Sequence, residues 1–352
     1  ISFFDQINPN NTKIERQWYS IDKGFDEPLN FPIRMEIEVT ALCNWNCGFC
    51  YNVWKIDPNL SDLELKRKIK SLPQKYLPKE DAFRIIDELS EKGCFVVRYS
   101  GGETTLHPDL QEILAYGAEK KMFQVLFTNG HYLTPDYCKE LEKNNVRSVL
   151  ISLHGNEGTQ NDVARREKAY EYTMNGIKNA INAGIEVIVE TTLIKENEEQ
   201  IEEIIDNIYT LGVTEYRVMR YVDTGKEDEK YAVPMQNILP LMQKIKELKD
   251  YKYKELNVGW PCGQKFCTSV EDSPISTDDK SLPLRFEQLT GHCESGLVWG
   301  SISYDGRIRN CPHSNVYHGD INSSDIETSW KRMTQRVHEV VKPRESCVPC
   351  DL

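Results

Sequence analysis

The sequence predicts an α/β fold: a parallel sheet wrapped by helices, then a smaller cysteine-rich unit. Three observations predict it. From residue 34 to about residue 225, strand-like and helix-like runs alternate through six repeats. After that point the alternation stops, and short strand-like pieces surround a turn. The chain has 11 cysteines, and most gather near residues 43–50 and 293–350, which reads as metal ligation rather than scattered core thiols.

The elements follow in order. "RMEIEVT" (34–40) is the first strand, and it runs straight into Cys43. Residues 51–79 form a long polar insertion. "PKEDAFRIIDELSEKG" is a helix closed by Gly93, and "FVVRYS" is the second strand. "PDLQEILAYGAEKK" is a helix and "FQVLFT" the third strand. "TPDYCKELEKNN" is a helix with Thr134 as its N-cap, because a hydroxyl there can accept from the first unpaired amides. "RSVLISL" is strand four, and "YEYTMNGIKNAINAG" is a helix ending at Gly184. "EVIVETTLI" is strand five, "EEQIEEIIDNIYTLG" a helix, and "EYRVMRYV" strand six. The strands are rich in β-branched and aromatic residues, as a pleated buried surface requires. Six such units make either an open three-quarter barrel or a doubly wound sheet. Beyond them, "PMQNILPLMQKIKELK" is a helix, and "LVWGSISY" and "RIRNC" flank a "YDG" turn as a hairpin. The expected division is an N-terminal extension (1–33), an α/β domain (34–225), a connecting helix and strand segment (226–292) and a cysteine-rich domain (293–352).

Composition bounds the function. The chain is 39% apolar and 28% charged with net charge −12. No basic stripe is present, so binding of nucleic acid through phosphate contacts is not expected. No apolar run approaches the roughly 18 residues of a membrane span, and the start has no secretory signal pattern. In such an intracellular-looking chain the cysteines are not expected to form disulfides; a cytoplasmic protein is expected, because thiolate-held metal clusters are vulnerable to oxidation. The first residue is not Met, so residues are expected to be missing from one or both ends.

Cys43, Cys47 and Cys50 are spaced C-x3-C-x2-C directly after strand one. Loops at the C-terminal ends of parallel strands are where such folds carry their sites. A [4Fe–4S] cubane has four irons, each taking one external ligand. Three thiolates therefore leave one iron open to a small molecule. A zinc site borrowing a fourth ligand is the alternative. At the other end, Cys293, Gly306 and Cys311 are spaced C-x12-G-x4-C, and Cys347 and Cys350 add C-x2-C. Four thiolates fit either a fully ligated cubane or a zinc ribbon. Cys262 and Cys267 lie in "GWPCGQKFC", as auxiliary ligands, a hydrogen-atom donor or buried apolar thiols. Cys94 and Cys138 stand alone and read as structural.

"CNWNCGFC", with Phe49 before the third cysteine, resembles the signature of radical S-adenosylmethionine (SAM) enzymes. "SGGET" after strand two resembles the family's GGE motif. "FTNG" ends strand three as in the family, and Ser152 with "NDVAR" resembles its strand-four Ser followed by D-x-x-R. His154 stands where relatives often have Asp. The resemblance covers about residues 34–225 and implies a partial (β/α)6 TIM-like barrel. It further implies that Cys43, Cys47 and Cys50 hold a [4Fe–4S] cluster. Around SAM it places Phe49, Gly101, Gly102, Glu103, Thr128, Asn129, Ser152 and Arg165. The Gly-Gly carbonyls would accept from the SAM amino group, and Arg165 would hold its carboxylate. The C-terminal cysteines, "HGDI" and Trp330 resemble the SPASM/twitch extension, which implies one auxiliary [4Fe–4S] cluster on Cys293, Cys311, Cys347 and Cys350. If the chain is truncated, a second is expected.

The activity so implied is reductive cleavage of SAM to a 5′-deoxyadenosyl radical that abstracts a substrate hydrogen. The expected substrate is a ribosomally made peptide, modified by crosslinking, oxidation or epimerisation, with flavodoxin or ferredoxin as electron donor. Residues 1–33 are too few for the separate peptide-recognition domain that some such enzymes carry. The runner-up is a small-molecule dehydrogenase or epimerase acting on an aminocyclitol or sugar. A non-catalytic iron–sulfur or zinc scaffold is the alternative from another class.

Overall fold

The computed structural model describes residues 29–52, 71, 74–222, 230–259 and 295–341. These fall into two compact units. One comprises residues 29–42, 74–125 and 295–341, and the other 43–52, 71, 126–222 and 230–259.

In the first unit, β1 (Arg34–Thr40) lies between β2 (Val96–Gly101) and β8 (Trp299–Ile302), parallel to both. The predicted hairpin is present. Strand β9 (Arg307–Arg309) pairs antiparallel with β8 across a turn in which Gly306 has φ +86°, a conformation that suits glycine. A short β10 (Gly319–Asp320) extends it. The hairpin thus adds to β1 a strand drawn from the far end of the sequence. Helix α1 (Lys79–Lys92) ends at Gly93 with φ +93°, whose amide bonds back to Leu89 O, as the sequence predicted. Helix α2 (Leu110–Glu119) precedes β3 (Phe123–Thr128).

Side chains alternate along β1. Met35, Ile37 and Val39 are fully buried, and Glu36, Glu38 and Thr40 on the other face are buried as well. A second core gathers Leu29, Ile33, Val298, Met333 and Trp330, the last two on α8 (Ile326–Val341). The Trp330 indole donates to Leu29 O at 2.7 Å, so a buried polar N–H is satisfied.

In the second unit, α3 (Pro135–Lys143) has Thr134 as N-cap, its hydroxyl accepting from Tyr137 N. Strands β4 (Val146–Ser152), β5 (Glu186–Leu193), β6 (Glu215–Arg220) and β7 (Asn257–Gly259) run parallel in that order. Helix α5 (Ala169–Asn182) packs Ile177 and Ala180 into the core, and α6 (Ile201–Thr210) packs Ile201, Ile204, Ile205 and Ile208. Helix α7 (Met235–Tyr251) carries Pro240 in its interior. A short helix, α4 (Glu157–Ala164), follows β4. Its apolar periodicity is too weak to mark it in the sequence. Among the described residues, no helix is long and apolar enough to cross a membrane.

Candidate metal and cofactor site

In the first unit the end of β2 rests on the end of β1. Gly102 N donates to Thr40 O at 2.7 Å, and Glu103 N donates to Leu42 O at 2.6 Å. Gly101 has φ +138°, and a Cβ there would stand 3.0 Å from Thr40 N. A Cβ on Gly102 would collide with Leu42 O and lie 2.5 Å from Leu42 C. Both glycines are therefore required by main chain that leads directly into Cys43. Gly102→Ala is expected to cost at least about 2 kcal/mol, because the atoms it meets are backbone and cannot turn aside. The denaturation midpoint measures this, and a Gly102→Ala protein as stable as the wild type contradicts it. Glu103 is buried, and its Oε1 accepts from Thr105 N at 3.2 Å and from the Thr105 hydroxyl at 2.6 Å.

Below this junction, Glu36 and Glu38 face the polar side of β1. Glu36 accepts from the Ser100 hydroxyl at 2.7 Å. Glu38 pairs with Arg309 of β9, both side chains 3% exposed. Burial pushes the Glu38 carboxyl up to about 7, against the opposing pull of Arg309.

The cysteine loop belongs to the second unit. Asn46 N donates to Ala164 O at 3.1 Å, and Gly48 N to Val163 O at 3.2 Å, so main-chain bonds stitch the loop to the end of α4. Cys43 and Cys47 pack against buried Trp45, Ala164 and Ala169. Trp45 N donates to Cys43 Sγ at 3.4 Å. All three thiols are half-buried, whereas Cys94 and Cys138 are buried. Burial pushes Cys94 up to about 12 and Cys138 up to about 11, which keeps both as inert thiols.

Two further predicted positions, Asn129 and Arg165, meet this loop. Asn129, after β3, donates from Nδ2 to Asn44 Oδ1 at 2.8 Å, and its own Oδ1 accepts from His131 N at 2.9 Å. Thr128 Oγ1 accepts from Gly130 N at 3.1 Å. Arg165 caps α4 with φ +49°, the left-handed region that non-glycine residues rarely hold without a reason. Its Nη2 lies 3.7 Å from where a Cβ on Gly48 would stand, so the guanidinium reaches the loop between Cys47 and Cys50. Phe49 sits edge-on to His154, ring centroids 4.8 Å apart. His154 is buried and held down at about 4 by desolvation. Its Nδ1 accepts from Thr192 N at 3.1 Å, which fixes the neutral tautomer with the proton on Nε2. Ser152 ends β4, paired with Glu190 of β5.

Among the described residues, no group of three His, Cys, Asp or Glu side chains converges on one point as a single ion would need. A cubane asks for something else, since each thiolate binds a different iron. Three half-buried thiols on one pinned loop, a donor set of sulfur alone and a guanidinium beside them fit such a cluster and an anionic ligand. In the first unit, Cys311 is half-buried with His313 Nδ1 3.4 Å from its sulfur. Cys262, Cys267, Cys293, Cys347 and Cys350 lie outside the described residues. Asn44, Gly48 and Tyr231, which also shape the loop, carry no signal in the sequence that would single them out.

Residues 37–208 match the Radical SAM superfamily. An AdoMet-dependent heme synthase of Methanosarcina barkeri is 26% identical over 309 residues, 86% of this chain and 83% of that protein. The mycofactocin maturase MftC of Mycolicibacterium smegmatis is 26% identical over 204 residues, 57% of this chain and 48% of that protein. Among solved structures, Streptococcus suis SuiB bound to precursor peptide SuiA aligns with TM-score 0.70 at 17% identity, covering 95% of this chain and 72% of that one. The parallel α/β fold is therefore that of the TIM-like radical SAM proteins.

Proposed function

Since the chain belongs to the radical SAM superfamily, we propose that Cys43, Cys47 and Cys50 hold a [4Fe–4S] cluster and that SAM binds beside it. What supports this most directly is the cysteine loop itself: three half-buried thiols pinned by main chain to the end of α4. When bound, the cluster and SAM supply reductive cleavage of the sulfonium and a 5′-deoxyadenosyl radical that takes a hydrogen atom from the substrate.

The residues of the chain divide the remaining work. The main chain of Gly101 and Gly102, with Glu103, receives the SAM amino group. Arg165, aimed at the loop by its left-handed backbone, holds the SAM carboxylate as a bidentate pair. Ser152 contacts the ribose, and Thr128, Asn129 and Phe49 complete the surround. Cys293, Cys311, Cys347 and Cys350 would hold an auxiliary cluster in the C-terminal region, residues 293–352.

For the substrate we favour a ribosomally made peptide, because relatives such as MftC are maturases and SuiB was solved with its precursor peptide. A second reading has its own support. The AdoMet-dependent heme synthase matches along 86% of this chain, the maturase along 57%, so an iron porphyrin is the competing substrate. Product mass separates them. With dithionite or reduced flavodoxin and SAM, a candidate precursor peptide should lose two hydrogens on oxidation or gain solvent deuterium on epimerisation. If an iron porphyrin is the substrate, its mass should change instead and the peptide's should not. Anaerobically reconstituted protein should hold roughly eight irons per chain. Zinc in their place, with no 5′-deoxyadenosine formed, would overturn the proposal.

A further inference from the structure

Tyr231, in the segment ahead of α7, is 8% exposed. Its hydroxyl occupies the place a Cβ on Gly48 would take, with its ring carbon Cζ 3.0 Å from that point. Gly48 lies between Cys47 and Cys50. The next residue, Phe49, meets the Tyr231 ring edge-on at 6.1 Å. Gly48 N is also bonded to Val163 O. The end of α4 and Tyr231 together thus form one clamp on Gly48 and Phe49. The clamp is itself anchored. Tyr231 packs with Val163 and Ile194, and its carbonyl accepts from Lys195 N at 3.2 Å, just beyond β5. Its hydroxyl end abuts the main chain between two cysteines.

We propose that Tyr231 is a positioning residue: through Gly48 and Phe49 it sets the placement of Cys47 and Cys50, and so the metal site they form. This rests on the assignment of Cys43, Cys47 and Cys50 as iron–sulfur ligands. Groups outside the ligand set commonly change metal retention roughly 10- to 100-fold when removed, and Tyr231 belongs in that range.

The test uses the full chain, reconstituted anaerobically. Three quantities are read: iron loss to a chelator, the electron paramagnetic resonance signal of the reduced protein with and without S-adenosylhomocysteine, and the unfolding midpoint. Tyr231→Phe keeps the ring and should retain iron as the wild type does. Tyr231→Leu should lose the N-terminal iron about tenfold faster and shift the resonance signal, while any iron held elsewhere keeps its wild-type rate of loss. Gly48→Ala approaches from the other side, keeping Tyr231 but driving a methyl into its hydroxyl. It should lose iron faster, and adding Tyr231→Phe, which removes the colliding oxygen, should restore retention. Tyr231→Leu with an unchanged resonance signal and chelator rate overturns the role. So does a Gly48→Ala defect that Tyr231→Phe leaves untouched. If Cys47→Ala releases no iron, the ligand assignment itself falls, and the result is distinct from either of these.

Discussion

Cys47→Ala will abolish 5′-deoxyadenosine formation while leaving the protein folded and about half of its iron in place. On the proposed assignment three thiolates would hold the cluster with none to spare, so losing one would leave it a single pair of protein ligands. The fold should survive because the loop is held by Asn46 N and Gly48 N on the carbonyls of Ala164 and Val163, and neither bond uses the Cys47 side chain. The substitution also trims a half-buried side chain rather than a core one, so the cavity cost is small. About four of roughly eight irons should remain, those on the C-terminal cysteines. Cys138→Ala is the matched control. Its thiol is fully buried on α3, so it should lower the unfolding midpoint and leave iron and SAM cleavage alone. Cys311→Ala should differ from Cys47→Ala by sparing some SAM cleavage while also losing product. If Cys47→Ala still makes 5′-deoxyadenosine, the N-terminal thiolates are not the site.

Much of this architecture is legible in the sequence because local physics decides it. β-Branched runs separated by amphipathic helices mark the six repeats, Gly93 and Thr134 punctuate them as predicted, and the "YDG" turn marks the later hairpin. The three thiolates declare themselves by spacing. What could not be read is whatever depends on distant partners. Strand β8 pairs with β1 across more than half the chain, and nothing in "LVWGSISY" says so. The approach of Arg165 to Gly48 depends on a left-handed residue at the end of a helix whose periodicity is too weak to find. Asn129 meets Asn44, and Tyr231 covers Gly48, only once the strands have been ordered. The alternation M-E-I-E-V in β1 reads locally as one dry face and one wet face. The structure buries both, because a counter-ion for Glu38 arrives from 271 residues away.

That buried pair sets the second large effect. Arg309→Met should cost about 3–5 kcal/mol near neutral pH, since it leaves a buried carboxylate without its partner. The loss should grow with pH, and the sign follows from the direction of the shift. Burial raises the Glu38 carboxyl from its ordinary 4.5 to about 7, with Glu36 and Asp305 adding to the rise. The folded protein therefore binds a proton in that window which the unfolded chain has released. The Glu38 contribution to stability falls as pH climbs from about 4.5 to about 7 and is level above that. Without the guanidinium the folded carboxyl titrates higher still, so in the variant the decline continues past 7 at up to about 1.4 kcal/mol per pH unit. Denaturant titrations near pH 6 and pH 8.5 should thus show a larger gap between wild type and variant at the higher pH. Adding Glu38→Gln to Arg309→Met removes the stranded charge and should recover most of the loss. A penalty that is the same at both pH values, or one that Glu38→Gln fails to relieve, would mean that Arg309 acts through its packing on the hairpin and not through its charge.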